Sequence, residues 1–285
     1  MRARARVVAE ADGYGGTRLT ALRSEAPLIL RETAGALYLV GGAGGPLGGD
    51  DVTLEIEVAA GASLTLRTAA ASLAQPGRGP SRITVRADIG AGGELRWLPE
   101  PLVAVRGCDH RMEAALTLDA GATLVWREEL VLGRHREASG SVVTRTTVDL
   151  DGAPLVRHEL AVGPDHPAAA GPVVTGGAQA AGSVLLVGPG LRAAMPAVLG
   201  PTAAVLPLAG AGVQVVALAG DAPALRRLLD DGLRVCFPDA PGTNRAWNSS
   251  SSSSCCSSSS AVVASPTAVA GAACSPGSPP GPGGP

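Results

Sequence analysis

Cys108-Asp109-His110 is the most compact cluster of metal-capable side chains in this 285-residue chain. On an extended strand residues i and i+2 share a face, so Cys108 and His110 could both reach one soft or borderline cation. No second ligand pair stands nearby in sequence, so the spacing predicts transient contact and not a closed site. The alternative is a half-buried cysteine beside a surface histidine. Arg134-His135-Arg136-Glu137 carries the charges of an anion site, but it also reads as a solvated turn. His158 and Glu159 read as the end of a strand, with no partner in view. Glu128/Glu129 and Asp50/Asp51 are adjacent carboxylates; neighbours on a strand point to opposite faces, which makes them poor acid–base dyads. The glycine-rich run Gly41–Asp51 invites comparison with a phosphate loop. A Walker loop needs a lysine to meet the phosphates, and this chain has none. Nor does it contain a G-x-S-x-G elbow or an H-E-x-x-H pair.

Composition excludes further classes. The formal charge is −2, so nothing attracts polyanions in general, and nucleic-acid binding through a basic face is not expected. The five cysteines form no C-x-x-C pair, so neither a zinc ribbon nor a disulfide framework is signalled. The arginine-rich start resembles the first part of a signal peptide, but Glu10 and Asp12 arrive before any apolar stretch; the expectation is a cytosolic protein. The uncharged stretch 193–220 is interrupted by Pro196, Pro201 and Pro207, so a strand pair around 203–219 is expected there and no membrane span.

The elements that must position these residues show a period. Gly61, Gly92, Gly121 and Gly152 recur about every 30 residues, each after a strand-like run and before a Leu-, Trp- or Arg-bearing one. The preceding runs are Val52–Val58, Ile83–Ile89, Ala114–Leu118 and Val142–Leu150. Alternation is clearest in Val52-Thr53-Leu54-Glu55-Ile56-Glu57-Val58. Such a repeat predicts a mainly β fold, a β-helical or solenoid-like stack in which each unit buries its face on the next. Earlier, Ala5–Ala9, Thr17–Leu22 and Leu28–Glu32 are strand candidates, with a turn at Gly13–Gly16. Ala69–Ser81 and Leu98-Pro99-Glu100-Pro101 should interrupt strands. Residues 163–181 should be loop. A short C-terminal helix is expected over Asp221–Gly232, capped by Asp221, ended by Gly232, and docked through Leu225, Leu228 and Leu229. Residues 1–244 then form one domain. Residues 245–285, rich in Ser, Cys, Pro and Gly, cannot bury a core and should be a disordered tail.

Taken together, several segments resemble the urease accessory protein UreD (also called UreH) family over roughly residues 5–235. They are Gly48-Gly49-Asp50 before a strand, Gly61-Ala62 with a following Leu-rich strand and Thr68, and Leu95-Arg96-Trp97-Leu98-Pro99-Glu100-Pro101. Gly121-Ala122 with Trp126-Arg127-Glu128, then Gly133-Arg134, complete the set. The Trp-Leu-Pro-Glu-Pro and Trp-x-Glu…Gly-Arg pieces are the specific ones. Two segments depart from the family's usual residues, Ala69–Leu73 and Val103–Cys108. The resemblance implies a non-enzymatic scaffold that binds UreF and, through it, the GTPase UreG. That assembly docks on apo-urease and helps insert nickel, which passes through the scaffold's interior without being tightly held. Asp50, Glu100, Glu128 and Arg134 are the polar motif positions expected to line such a route, meet a partner or form an ion pair. Two other functions fit a solenoid: a non-catalytic structural interaction module, and a β-helix enzyme acting on polysaccharide. The scarcity of aromatic platforms argues against the latter.

Overall fold

The computed structural model describes residues 1–189, 191 and 196–236. The expected boundary at 244/245 and the tail beyond it lie outside the described residues, as do Phe237, Trp247, Cys255, Cys256 and Cys274.

The first strands are β1 (Arg2–Ala11), β2 (Thr17–Arg23), β3 (Leu28–Thr33), β4 (Ala36–Gly41), β5 (Asp51–Val58) and β6 (Ser63–Thr68). Next come β7 (Ser72–Ala74), β8 (Ser81–Ile89), β9 (Glu94–Leu98), β10 (Leu102–Ala104), β11 (Asp109–Leu118) and β12 (Thr123–Val131). The remainder are β13 (Ser141–Leu150), β14 (Ala153–Val162), β15 (Ala180–Val187), β16 (Ala197–Val198), β17 (Ala203–Pro207) and β18 (Gly212–Ala219), followed by helix α1 (Ala222–Cys236).

These make a β-solenoid of about four turns, as the repeat predicts. One sheet runs β14-β13-β11-β8-β5-β1-β2 and the other β16-β17-β18-β15-β12-β9-β6-β4-β3. Each coil places one strand in the first sheet, turns at the period glycine, and places the next strand in the second. Neighbouring coils pair in parallel, β5 to β8 to β11 to β13 and β6 to β9 to β12. Gly61, Gly92 and Gly121 sit at φ 69°, 66° and 77°, a region that other residues enter only at a cost. Inward positions stack in register across coils: Val7, Ile56, Ala87, Leu116 and Val148 form one such column. This shared interior is the core.

The fourth period unit differs from its predecessors. Asp151 and Gly152 both take positive φ, 50° and 75°, which is the two-residue hairpin turn. β14 therefore folds back antiparallel on β13 and ends the parallel ladder instead of crossing to the second sheet. His158 and Glu159 consequently lie in the middle of a strand and not at its end. The expected interruption at 69–81 contains a short strand, β7, paired to β10.

Helix α1 packs on β15, β17 and β18 and reaches β12. Asp221 caps it, its Oδ1 accepting from the Ala224 N–H at 2.7 Å, as its position before Pro223 predicts. Leu225 and Leu229 are fully buried and Leu233 nearly so. Gly232 does not end the helix, which continues to Cys236. Its lack of a side chain serves packing: a Cβ there would sit 2.3 Å from a Val215 methyl.

Candidate functional site

The solenoid interior is not filled evenly. Near the glycine turns, Leu64, Leu66, Leu95, Trp97, Leu124 and Trp126 close it. Beyond them the second sheet is interrupted at Ala69-Ala70-Ala71 and Pro99-Glu100-Pro101, where short side chains and ring-locked backbone cannot fill the space. A cavity of about 890 Å³ results, with residues from the first to the last coil in its wall. Most of that wall is apolar, including Val52, Leu54, Ile83, Val85, Met112 and Leu160.

The polar exceptions come from strand parity. Along β12, Leu124, Trp126, Glu128 and Leu130 point inward, while Arg127 and Glu129 pair with Asp230 and Arg226 of α1 and also border the cavity. Along β13, Val142, Thr144, Thr146 and Val148 point inward, so the apolar column is broken by two hydroxyls. Glu128 Oε1 accepts from Trp126 Nε1 at 2.8 Å and from Thr146 Oγ1 at 2.6 Å, which ties the two sheets together across the interior. Thr146 is in turn the cross-strand partner of His158. Glu128, Thr144 and His158 all line the cavity. Trp97 stacks on Trp126 with centroids 5.1 Å apart. The residue two positions after Trp97 is Pro99, where Trp126 has Glu128, and the buried Trp97 Nε1 finds no acceptor among the described residues.

The other three expected positions are engaged differently. Glu100 bonds Arg226 of α1 at 3.1 Å. Arg226 also bonds Glu129, Glu129 bonds Arg127, and Arg127 bonds Asp230, so an ion network pins the helix to the second sheet. Asp50 accepts from the Met1 α-amino group and the Leu47 N–H. Burial raises its pKa, but those two bonds and the adjacent positive charge outweigh burial and hold it below the ordinary carboxylate value. Arg134 lies outside on a turn and forms a two-pronged pair with Glu137, whose bond from Arg134 lowers the carboxyl pKa to about 2. The expected turn at 134–137 is thus present, with Arg136 at φ 59°.

Cys108, one residue before β11, and His110 on that strand are both buried. Burial, then the nearby Asp109, pushes the Cys108 thiol up to about 11, which disfavours the thiolate that a soft cation prefers. Burial depresses His110 to about 4; its Nδ1 lies 2.8 Å from Ser81 Oγ and its Nε2 has no partner among the described residues. No group of three or more His, Cys, Asp or Glu side chains suited to hold a metal occurs among the described residues.

The sequence places His158 only at the end of a strand, and does not reveal the Thr144/Thr146 pair or the ion network. The signal for the threonines was available: in Val142-x-Thr144-x-Thr146-x-Val148 the flanking valines fix the inward face. His158 required the hairpin, and the network required α1 to land beside β12.

The family model for the UreD urease accessory protein matches residues 1–248. The chain belongs to the UreD urease accessory protein family. A UreD of Parafrankia sp. (strain EAN1pec) is 46% identical over 259 residues, covering 81% of this chain and 87% of that protein. A Streptomyces avermitilis UreD is 45% identical, covering 82% of this chain and 96% of the relative. One of two Saccharopolyspora erythraea UreD proteins is 36% identical, covering 86% and 99%. These relatives are accessory proteins, and UreD membership supports a role in urease maturation. Among the described residues no helix is long and apolar enough to cross a membrane.

Proposed function

We propose that this chain is a non-catalytic cytosolic scaffold that works with UreF and, through it, the GTPase UreG to insert nickel into apo-urease. UreD family membership along residues 1–248 is the observation that carries the reading. The interior supports its metal part. A cavity walled mostly by apolar groups offers a passing cation few ligands, and so few places to be trapped. Glu128 is the expected motif position whose carboxylate meets that cavity and is held by neutral donors alone. Asp50 and Glu100 also touch the cavity wall, but positive groups compensate them. Arg134, on the outer turn, is the candidate for partner contact. Cys108 and His110 are candidates for a brief second contact one layer beyond Met112, with no cofactor held tightly. The absence of lysine fits a division of labour in which nucleotide chemistry belongs to another chain.

The test is deletion of this chain in a urease-producing host. Urease polypeptide should accumulate with little activity, and wild-type chain should restore activity and co-purify with a UreF-like partner. Full urease activity without the chain overturns the reading.

A further inference from the structure

Each coil turns twice, and the two rows of turns differ in charge. The glycine turns, 59–62, 90–93, 119–122 and 151–152, hold Asp119 and Asp151 and no basic residue. The opposite corners lead from the second sheet back to the first: 75–80 before β8, 105–108 before β11 and 132–140 before β13. They carry Arg78, Arg106, Arg134, His135 and Arg136 against a single carboxylate, Glu137. These corners stack. They end on register partners, Ser81 with His110 and Asp109 with Ser141, and the Gly140 N–H bonds the Ala104 carbonyl at 3.2 Å. A Cβ at Gly107 would stand 3.8 Å from the Pro76 Cβ. Neighbouring strands lie about 4.8 Å apart, so the three corners bring these arginines onto one edge about 10 Å long.

Glu137 is already spent, since it takes two bonds from Arg134. Arg78, Arg106 and Arg136 are exposed and form no ion pair among the described residues. On the outer face of the first sheet the pattern is the reverse: Arg4, Arg6, Arg145 and Arg157 meet Glu55, Glu57, Glu159 and Asp149. Asp109 begins β11 beside the basic edge, but Arg111, two positions along the same face, offsets it. Like charges that the register sets side by side repel, and nothing inside the chain offsets that cost. A guanidinium fork matches a carboxylate in two-pronged pairs, as Arg134 and Glu137 show. The whole chain carries −2, so a long polyanion on this edge would also meet the acidic residues around it. A short acidic segment fits the edge without reaching them.

We infer that this corner edge, through Arg78, Arg106 and Arg136, docks a short Asp- or Glu-rich segment of a partner protein. Arg134 shapes the turn that presents Arg136 through its pair with Glu137. That the partner belongs to urease maturation rests on the proposed function; the edge itself rests on charge and register.

The experiment titrates the purified full chain into a fluorescein-labelled decaglutamate peptide at low ionic strength and follows anisotropy. The wild type should bind, with affinity falling as salt is raised. Arg78→Gln/Arg106→Gln/Arg136→Gln should bind about tenfold more weakly, the combined scale of three exposed ion pairs. Arg6→Gln/Arg18→Gln/Arg145→Gln changes the net charge equally and should bind as the wild type does. Circular dichroism checks that both variants are folded; should the first not fold, Arg106→Glu alone carries the test and should also bind more weakly. A labelled single-stranded DNA decamer should bind less well than the peptide. No peptide binding by the wild type, undiminished binding in the 78/106/136 variant, or an equal loss in the control variant overturns the edge. DNA binding that exceeds peptide binding and is lost in the 78/106/136 variant also overturns it, in favour of nucleic acid. None of these results touches the urease-deletion test, so failure of the edge and failure of the maturation role are read separately.

Discussion

Glu128 and Glu129 are neighbours on one strand and live in opposite environments. Glu129 points outward, is completely covered by α1, and is met by Arg127 and Arg226. Glu128 points inward onto a cavity and is met by an indole N–H and a threonine hydroxyl. The first arrangement neutralises its charge and seals it; the second orients a carboxylate and leaves its charge for something else. The alternation of side chains along a strand permits this within one residue step. A single strand thus serves as both a structural clasp and a wall of the interior.

The outer network should be the stability element. Arg127→Met removes a cation that bonds both Glu129 and Asp230 in a nearly dry setting, leaving Asp230 uncompensated and Glu129 with Arg226 alone. A buried pair broken in this way costs about 3–5 kcal/mol, and the urea midpoint should fall accordingly. A loss well under 1 kcal/mol would mean that α1 is not held by these charges.

A second inward polar residue sharpens the contrast by titration. His110 has a folded-state pKa near 4 against an ordinary 6.5, because burial penalises its cation. Above pH 6.5 both states are neutral and stability is complete. Between 6.5 and 4 the unfolded chain takes up a proton that the folded chain refuses, so stability falls as pH falls. The loss from this group across that window is about 3 kcal/mol. Urea titrations at pH 7 and pH 5 should show the decline, and His110→Gln should flatten it. An equal slope in both proteins would show that His110 is not the group responsible.

Glu128→Gln keeps the shape and the Trp126 and Thr146 acceptor while removing the charge. Stability should stay within about 1 kcal/mol of the wild type, the scale of one net hydrogen bond. Urease activation at limiting nickel should drop nonetheless. Unchanged activation with unchanged stability would remove Glu128 from the functional account.

The smallest effect belongs to Arg134. Its pair with Glu137 is solvent-exposed, and exposed pairs add little. Arg134→Ala should leave the urea midpoint unmoved. Any loss of urease activation in that variant would then report a partner contact, to be checked by UreF pull-down.

The solenoid was legible in the sequence because its glycines mark turns with positive φ and its strands alternate cleanly. In sequence Asp151-Gly152 looks like another rung, since one glycine looks the same in either turn; the conformation of Asp151 makes it a hairpin. Gly232 carries the sequence mark of a helix stop, whereas close approach to Val215 is its reason. Within the site, Glu128 was named from its motif, but its inward face and its Thr146 and His158 neighbours depend on register between strands far apart in sequence. Arg226 and Asp230 meet β12 only after the six intervening strands β13 to β18 and the helix are placed, which no local pattern encodes.

Urease activation in a host lacking this chain tests the central claim most directly. Nickel should be held limiting, and the host complemented with wild type or Glu128→Gln. The wild type should restore activity, with the variant well below it and recovering as nickel is raised. Full activity in the uncomplemented host, or no rescue by the wild-type chain, would contradict the account.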